Sequence, residues 1–133
     1  MATRLNPYLS FDGTARAALE FYRDLFGGEL SVSTYGDMGA ETDTDRVMHG
    51  LLETDQGFTL MASDAPPGTE HRSGTDMAVS ISGDDAELLD RYWQGLSTDG
   101  QVSVPLEKQP WGDRFGACID RFGVSWMIDI VAS

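Results

Sequence analysis

The sequence has one cysteine, Cys118, which excludes an internal disulfide and any zinc site built on cysteine pairs. It has no apolar run near the roughly 20 residues that span a bilayer as a helix. The opening stretch from Met1 to Phe11 does not read as a secretory signal. Cationic side chains are scarce, nine against twenty-two acidic ones, for a formal charge of −13. That field repels a phosphate backbone, so nucleic acid is not an expected partner, and without a span neither is a membrane. A glycine-rich phosphate loop, a nucleophile elbow and a Ser-x-x-Lys motif are all missing, and nothing resembles a glycine-rich adenosylmethionine site. A single thiol without a leader fits a reducing, cytoplasmic setting.

What is present suits one domain. A chain of 133 residues buries about two thirds of its surface on folding and needs no staple. Alternation predicts a strand over Leu5–Phe11, with Asn6, Tyr8 and Ser10 on one face. Ala18, Phe21, Tyr22, Leu25 and Phe26 predict a helix over Thr14–Phe26, closed by Gly27-Gly28. A strand over Leu30–Tyr35 and a polar loop over Gly36–Asp45 follow. A hairpin then runs over Arg46–Thr54 and Phe58–Ser63. Asp64–Thr75, rich in proline and glycine, reads as a linker.

The pattern then restarts. A strand is predicted over Asp76–Ser82, an Asp84/Glu87 capping box, and a helix burying Leu89, Tyr92, Trp93 and Leu96. A strand over Gln101–Glu107 and a hairpin over Arg114–Asp120 and Val124–Val131 complete the second copy. Gly13 and Gly83, Leu19 and Leu89, and Tyr22 and Tyr92 match at an offset of 70, and Gly57–Met61 matches Gly123–Met127 at 66. Two matching runs in the same order indicate an internal duplication. Alternation sends Phe58, Leu60 and Ala62, with Val124, Trp126 and Ile128, beneath the helices. Thr59, Met61 and Ser63, with Ser125, Met127 and Asp129, take the opposite faces. Short polar groups mixed with methionines suit the wall of a ligand pocket, and equally a seam in which methionines fill gaps.

Several segments in order carry a resemblance: Asn6-Pro7-Tyr8-Leu9-Ser10-Phe11, Phe21-Tyr22 before Phe26-Gly27-Gly28, Phe58-Thr59-Leu60-Met61, Ser63-Asp64-Ala65-Pro66-Pro67, Trp111-Gly112 and Asp120–Met127. Together they closely resemble the PhnB-like family of the vicinal oxygen chelate superfamily, which includes glyoxalase I, extradiol dioxygenases and bleomycin-resistance proteins. The resemblance implies an α+β fold of two tandem βαβββ modules with curved half-barrel sheets, often completed across a homodimer. Within a single domain over 1–133, module 1 covers about 4–63, the linker 64–75 and module 2 about 76–131.

Metal-using members place a ligand on the first and on the last strand of each module, typically His or Gln with Glu. Laid on this sequence, that pattern falls on Asn6 and Asp76, and on Met61 and Met127. Two thioethers, an amide and a carboxylate suit zinc, nickel, iron or manganese poorly, whereas methionine sulfur suits copper(I).

The expectation is therefore a cytoplasmic, metal-free homodimer without cofactor. It would hold a small organic molecule in a groove between modules lined by Asn6, Tyr8, Met61, Asp76 and Met127, with His49 and Trp111 added. Sequestration of a cationic or aromatic compound suits the acidic charge. The competing expectations are a metal-dependent lyase, isomerase or dioxygenase with another ligand set, and a structural dimer with a collapsed seam.

His49 reads as a strand histidine at the pocket wall or a general base, and His71 as a solvated linker residue. Cys118 reads as a buried thiol. Asp37, Glu41, Asp43 and Asp45 form a solvated loop without EF-hand register. Trp111 and Phe115 read as a lid over the pocket or as packing beneath it.

Overall fold

Ala15, Ala18, Leu19, Tyr22 and Phe26 recur at three- and four-residue intervals, which puts them on one side of a helix. They are the buried residues of helix α1, Ala15–Phe26. Burying each of its larger apolar side chains stabilises the fold by about 1.5–3 kcal/mol. The helix stops where Gly27 takes a φ of 77° and its N–H bonds the Arg23 carbonyl. A side chain at Gly28 would collide with the Glu53 carbonyl.

The computed structural model describes residues 3–66 and 68–132; Met1 and the linker's Pro67, both used in reading the sequence, lie outside them. The chain divides between Arg72 and Ser73 into two compact units. The first holds β1 (Tyr8–Phe11), α1, β2 (Glu29–Thr34), β3 (Val47–Glu53) and β4 (Thr59–Asp64), with a short 3-10 turn at Gly36–Met38. The second holds β5 (Val79–Gly83), α2 (Ala86–Ser97), β6 (Gln101–Lys108), β7 (Arg114–Ile119) and β8 (Ser125–Ile130). Each unit is an open four-stranded sheet, in the order β1-β4-β3-β2 and β5-β8-β7-β6. The first strand runs parallel to the last, and the remaining pairs are antiparallel. This is the tandem βαβββ arrangement of an α+β chain.

In each unit one glycine lets helix and sheet approach. A Cβ on Gly50 of β3 would meet Leu19 of α1, and one on Gly116 of β7 would meet the Trp93 ring of α2 at 2.9 Å. These glycines are again 66 residues apart. Arg114 of β7 adds a two-pronged ion pair to Asp90 of α2, at 2.9 and 3.2 Å.

Several boundaries differ from expectation for physical reasons. β1 starts at Tyr8 rather than Leu5, since Pro7 has no N–H for the ladder, although its carbonyl accepts from Met61. β5 starts at Val79 rather than Asp76. Val79 pairs with Trp126, next to the first residue of β8, so earlier residues have little strand to pair with. Asp85, not Asp84, caps α2, accepting from the Leu88 N–H at 3.1 Å. β6 tolerates Pro105 because it is an edge strand, and its pairing shifts register on either side of Val104.

Asp64 is not linker. It ends β4, is 2% exposed, and accepts from the N–H groups of Gly13 (2.7 Å), Ala15 (3.0 Å) and Val47 (2.9 Å). Thr14 makes no side-chain cap on α1, so a carboxylate from β4 takes that role from 49 residues away. His71, expected in solvent, donates its Nε2–H to the Ser10 carbonyl at 2.9 Å. No helix among the described residues is long and apolar enough to cross a membrane.

Candidate functional site

A sheet with a helix on one face leaves the other face without a helix of its own. In the first unit Leu60, Ala62 and Asp64 alternate inward under α1, all buried. Thr59, Met61 and Ser63 therefore take the opposite face. Tyr8 and Leu51 lie beside Met61 on its two neighbouring strands, and Ser10 lies beside Ser63. His49, two residues from Leu51 along β3, shares that face and pairs with Ser33 of β2. Tyr8 Oη and His49 Nδ1 are 3.1 Å apart, with ring centroids 5.8 Å apart and planes tilted by 31°. Three predicted site residues, Tyr8, His49 and Met61, are thus brought onto one face. Asn6 precedes β1 and is half-buried.

In the second unit Trp126, Ile128 and Ile130 point under α2. Met127, between Ser80 and Ala117, and Asp129, between Ser82 and Phe115, take the other face. Met127 is 36% exposed and stands where Met61 stands in the first unit. Asp76 is exposed and lies in a bend three residues before β5, so it is not the strand residue the sequence suggested. Trp111 is 64% exposed in the turn closed by the Gly112 N–H on the Gln109 carbonyl. Its ring lies 6.5 Å from that of Phe115. It does not pack beneath the sheet.

Asp129 and Asp113 were not singled out as site residues. Burial, then a hydrogen bond and charge repulsion from Asp113, raise the Asp129 carboxyl above its ordinary 3.8. The signal in the sequence was parity, since Asp129 lies two residues from Met127; Asp113, in a loop, offered none. A raised carboxyl holds its proton more tightly folded than unfolded, so stability declines as pH rises from 3.8 through the folded value. Asp129→Asn is expected to raise Tm at pH 7, with the gain vanishing below pH 3.8. Thermal unfolding at both pH values checks this.

The lone thiol is shielded. Cys118 lies on the helix side of β7 and is 1% exposed. Burial, with the Asp120 charge adding to it, pushes its thiol up to about 11. Native protein is expected to resist a thiol-specific disulfide reagent at pH 8 and to react fully in denaturant. The unfolded thiol ionises near 9.0 and the folded one near 11, so the group's contribution to stability falls as pH rises through that window.

As a metal centre the donor set fits poorly. Among the described residues no three His, Cys, Asp or Glu side chains cluster to hold an ion. The last-strand positions are thioethers, and Asp76 is off its strand. Imidazole and carboxylate donors for a borderline or hard ion are therefore not assembled on either sheet.

A family model described as Glyoxalase/Bleomycin resistance protein/Dioxygenase superfamily matches residues 4–128. Protein YjdN of Escherichia coli is 29% identical over 141 aligned positions, covering 96% of this chain and 95% of that one. The crystal structure of protein PA1353 from Pseudomonas aeruginosa superposes with a TM-score of 0.90 at 32% identity, covering 99% and 100% of the two chains. The PhnB protein from Bacillus cereus gives 0.82 at 27% identity, covering 97% and 100%.

Proposed function

The chain belongs to the Glyoxalase/Bleomycin resistance protein/Dioxygenase superfamily, and on that premise we propose that its helix-free sheet faces bind a small organic molecule without a metal ion. One observation carries this reading: Met61 and Met127 occupy equivalent central places on those faces, each flanked by strands of its own unit. A thioether packs against rings and chains and adapts to irregular shapes, and it binds hard cations poorly. Short hydroxyls beside it, Ser10 and Ser63 in one unit and Ser80 and Ser82 in the other, supply polar contacts without fixed charge.

The second face also carries the Asp129 carboxyl next to Phe115. A carboxylate with an aromatic ring at hand favours an organic cation, which supports sequestration of a cationic or aromatic compound. The homodimer belongs to the same proposal, and light scattering in solution measures it. Thermal-shift screening of organic cations and neutral aromatics is the test of binding. A ligand at 100 times its Kd adds about 2.7 kcal/mol, and Met61→Lys together with Met127→Lys is expected to abolish that shift. No shift with any compound of either class overturns the proposal.

A further inference from the structure

The unit-1 face differs from its counterpart in having an imidazole within hydrogen-bond distance of a phenol. The one hydrogen bond found for the His49 ring among the described residues joins its Nδ1 to Tyr8 Oη. A phenol O–H is a strong donor and an imidazole lone pair a strong acceptor, so the favoured pairing has the hydroxyl donating to Nδ1. The ring's one mobile proton then resides on Nε2, because a neutral imidazole carries a proton on only one nitrogen.

We propose that Tyr8 holds His49 in this Nε2–H form and that the face thereby presents a neutral donor for the carbonyl oxygen of an uncharged aromatic compound. The inference rests on the small-molecule reading above and narrows it.

The surroundings select the class. Around His49, sheet register and alternation place Leu51, Met61, Ser10, Ser33 and Ser63, none of them charged, and the Glu53 carboxylate shares the face only at the far end of β3, beyond Leu51. An anion would find no cationic partner there and would face a chain of formal charge −13. A cation would meet the positive end of an N–H dipole. A neutral carbonyl satisfies that N–H, while the attached ring lies against Leu51 and the Met61 thioether. Both rings of the pair remain reachable, Tyr8 being 51% exposed and His49 half-buried.

Two readouts test this. Long-range 1H–15N correlation spectra of unliganded, 15N-histidine-labelled protein report the tautomer directly, with His71→Asn assigning the two rings. A protonated Nε2 and bare Nδ1 on His49, changing to a tautomer mixture in Tyr8→Phe, are expected; a protonated Nδ1 in the native protein overturns the proposal. Acetophenone is then compared with ethylbenzene, which keeps the phenyl ring and the two-carbon side chain without the acceptor, and with benzyltrimethylammonium. Acetophenone is expected to shift His49 and Met61 signals and to bind about tenfold more tightly than ethylbenzene, the worth of one hydrogen bond. His49→Phe is expected to erase that preference. Equal binding of acetophenone and ethylbenzene, or binding of the ammonium alone, overturns the carbonyl assignment while leaving the broader small-molecule reading standing. Binding of none of the three also overturns the assignment, and the broader reading falls only if the whole thermal-shift panel is silent as well.

Discussion

Replacing Asp64 with alanine is expected to lower the unfolding free energy by about 3–5 kcal/mol, the cost of orphaning buried N–H groups that a carboxylate had satisfied. The carboxylate joins three parts of the first unit: the turn after β1 through Gly13, the start of α1 through Ala15, and the start of β3 through Val47. Ala15 and Val47 are both fully buried, so water does not replace the lost acceptor at those two. Asp64→Asn separates shape from charge. Its oxygen can still serve Gly13 and Ala15, but its amide then faces the Val47 N–H, donor against donor, and the expected cost is about 2–3 kcal/mol. Urea unfolding followed by circular dichroism measures both variants. A loss below 1 kcal/mol for the alanine variant contradicts the role assigned to this residue.

The second unit has no such carboxylate at the matching place, which is Ile130. Its buried acid is Asp120, which accepts from the N–H groups of Phe122 and Val124 with one oxygen and from the Trp126 indole at 2.8 Å with the other. Trp126→Ala is expected to cost about 3–5 kcal/mol, the range for emptying an aromatic site. Trp126→Phe, which keeps most of the ring and removes the N–H, is expected to cost about 1–3 kcal/mol by taking the indole hydrogen bond away from the Asp120 carboxylate. The same urea series reads both. Equal losses in the two variants show that the indole hydrogen bond carries the whole effect and that packing contributes nothing, against this account.

These residues show why the fold was legible and parts of the site were not. Helical and strand periodicity act locally, so α1, α2 and the inward residues of β4 and β8 could be read directly. The duplication made the second unit a check on the first. Thr54 and Asp120, also 66 residues apart, show how matched positions keep one role with different chemistry: each uses its side chain to tie the turn into the last strand of its unit. Contacts between distant positions left no such trace. Asp64 looked like the first polar residue of a linker because its partners lie 17 to 51 residues upstream. Tyr8 and His49 are 41 residues apart and were each assigned to the site without any sign that they touch. Asp76 was misplaced because alternation says which way a residue points but not where the neighbouring strand ends.

Whether the chain holds a metal depends on what sits at the centre of each helix-free face. Elemental analysis by mass spectrometry, on protein purified without chelator from cells grown with ample trace metals, tests it most directly. With Met61 and Met127 at those positions, no divalent transition metal is expected to approach one ion per chain. One equivalent of zinc, nickel, iron or manganese that survives dialysis, and is lost when Met61 and Met127 are both changed to alanine, contradicts it.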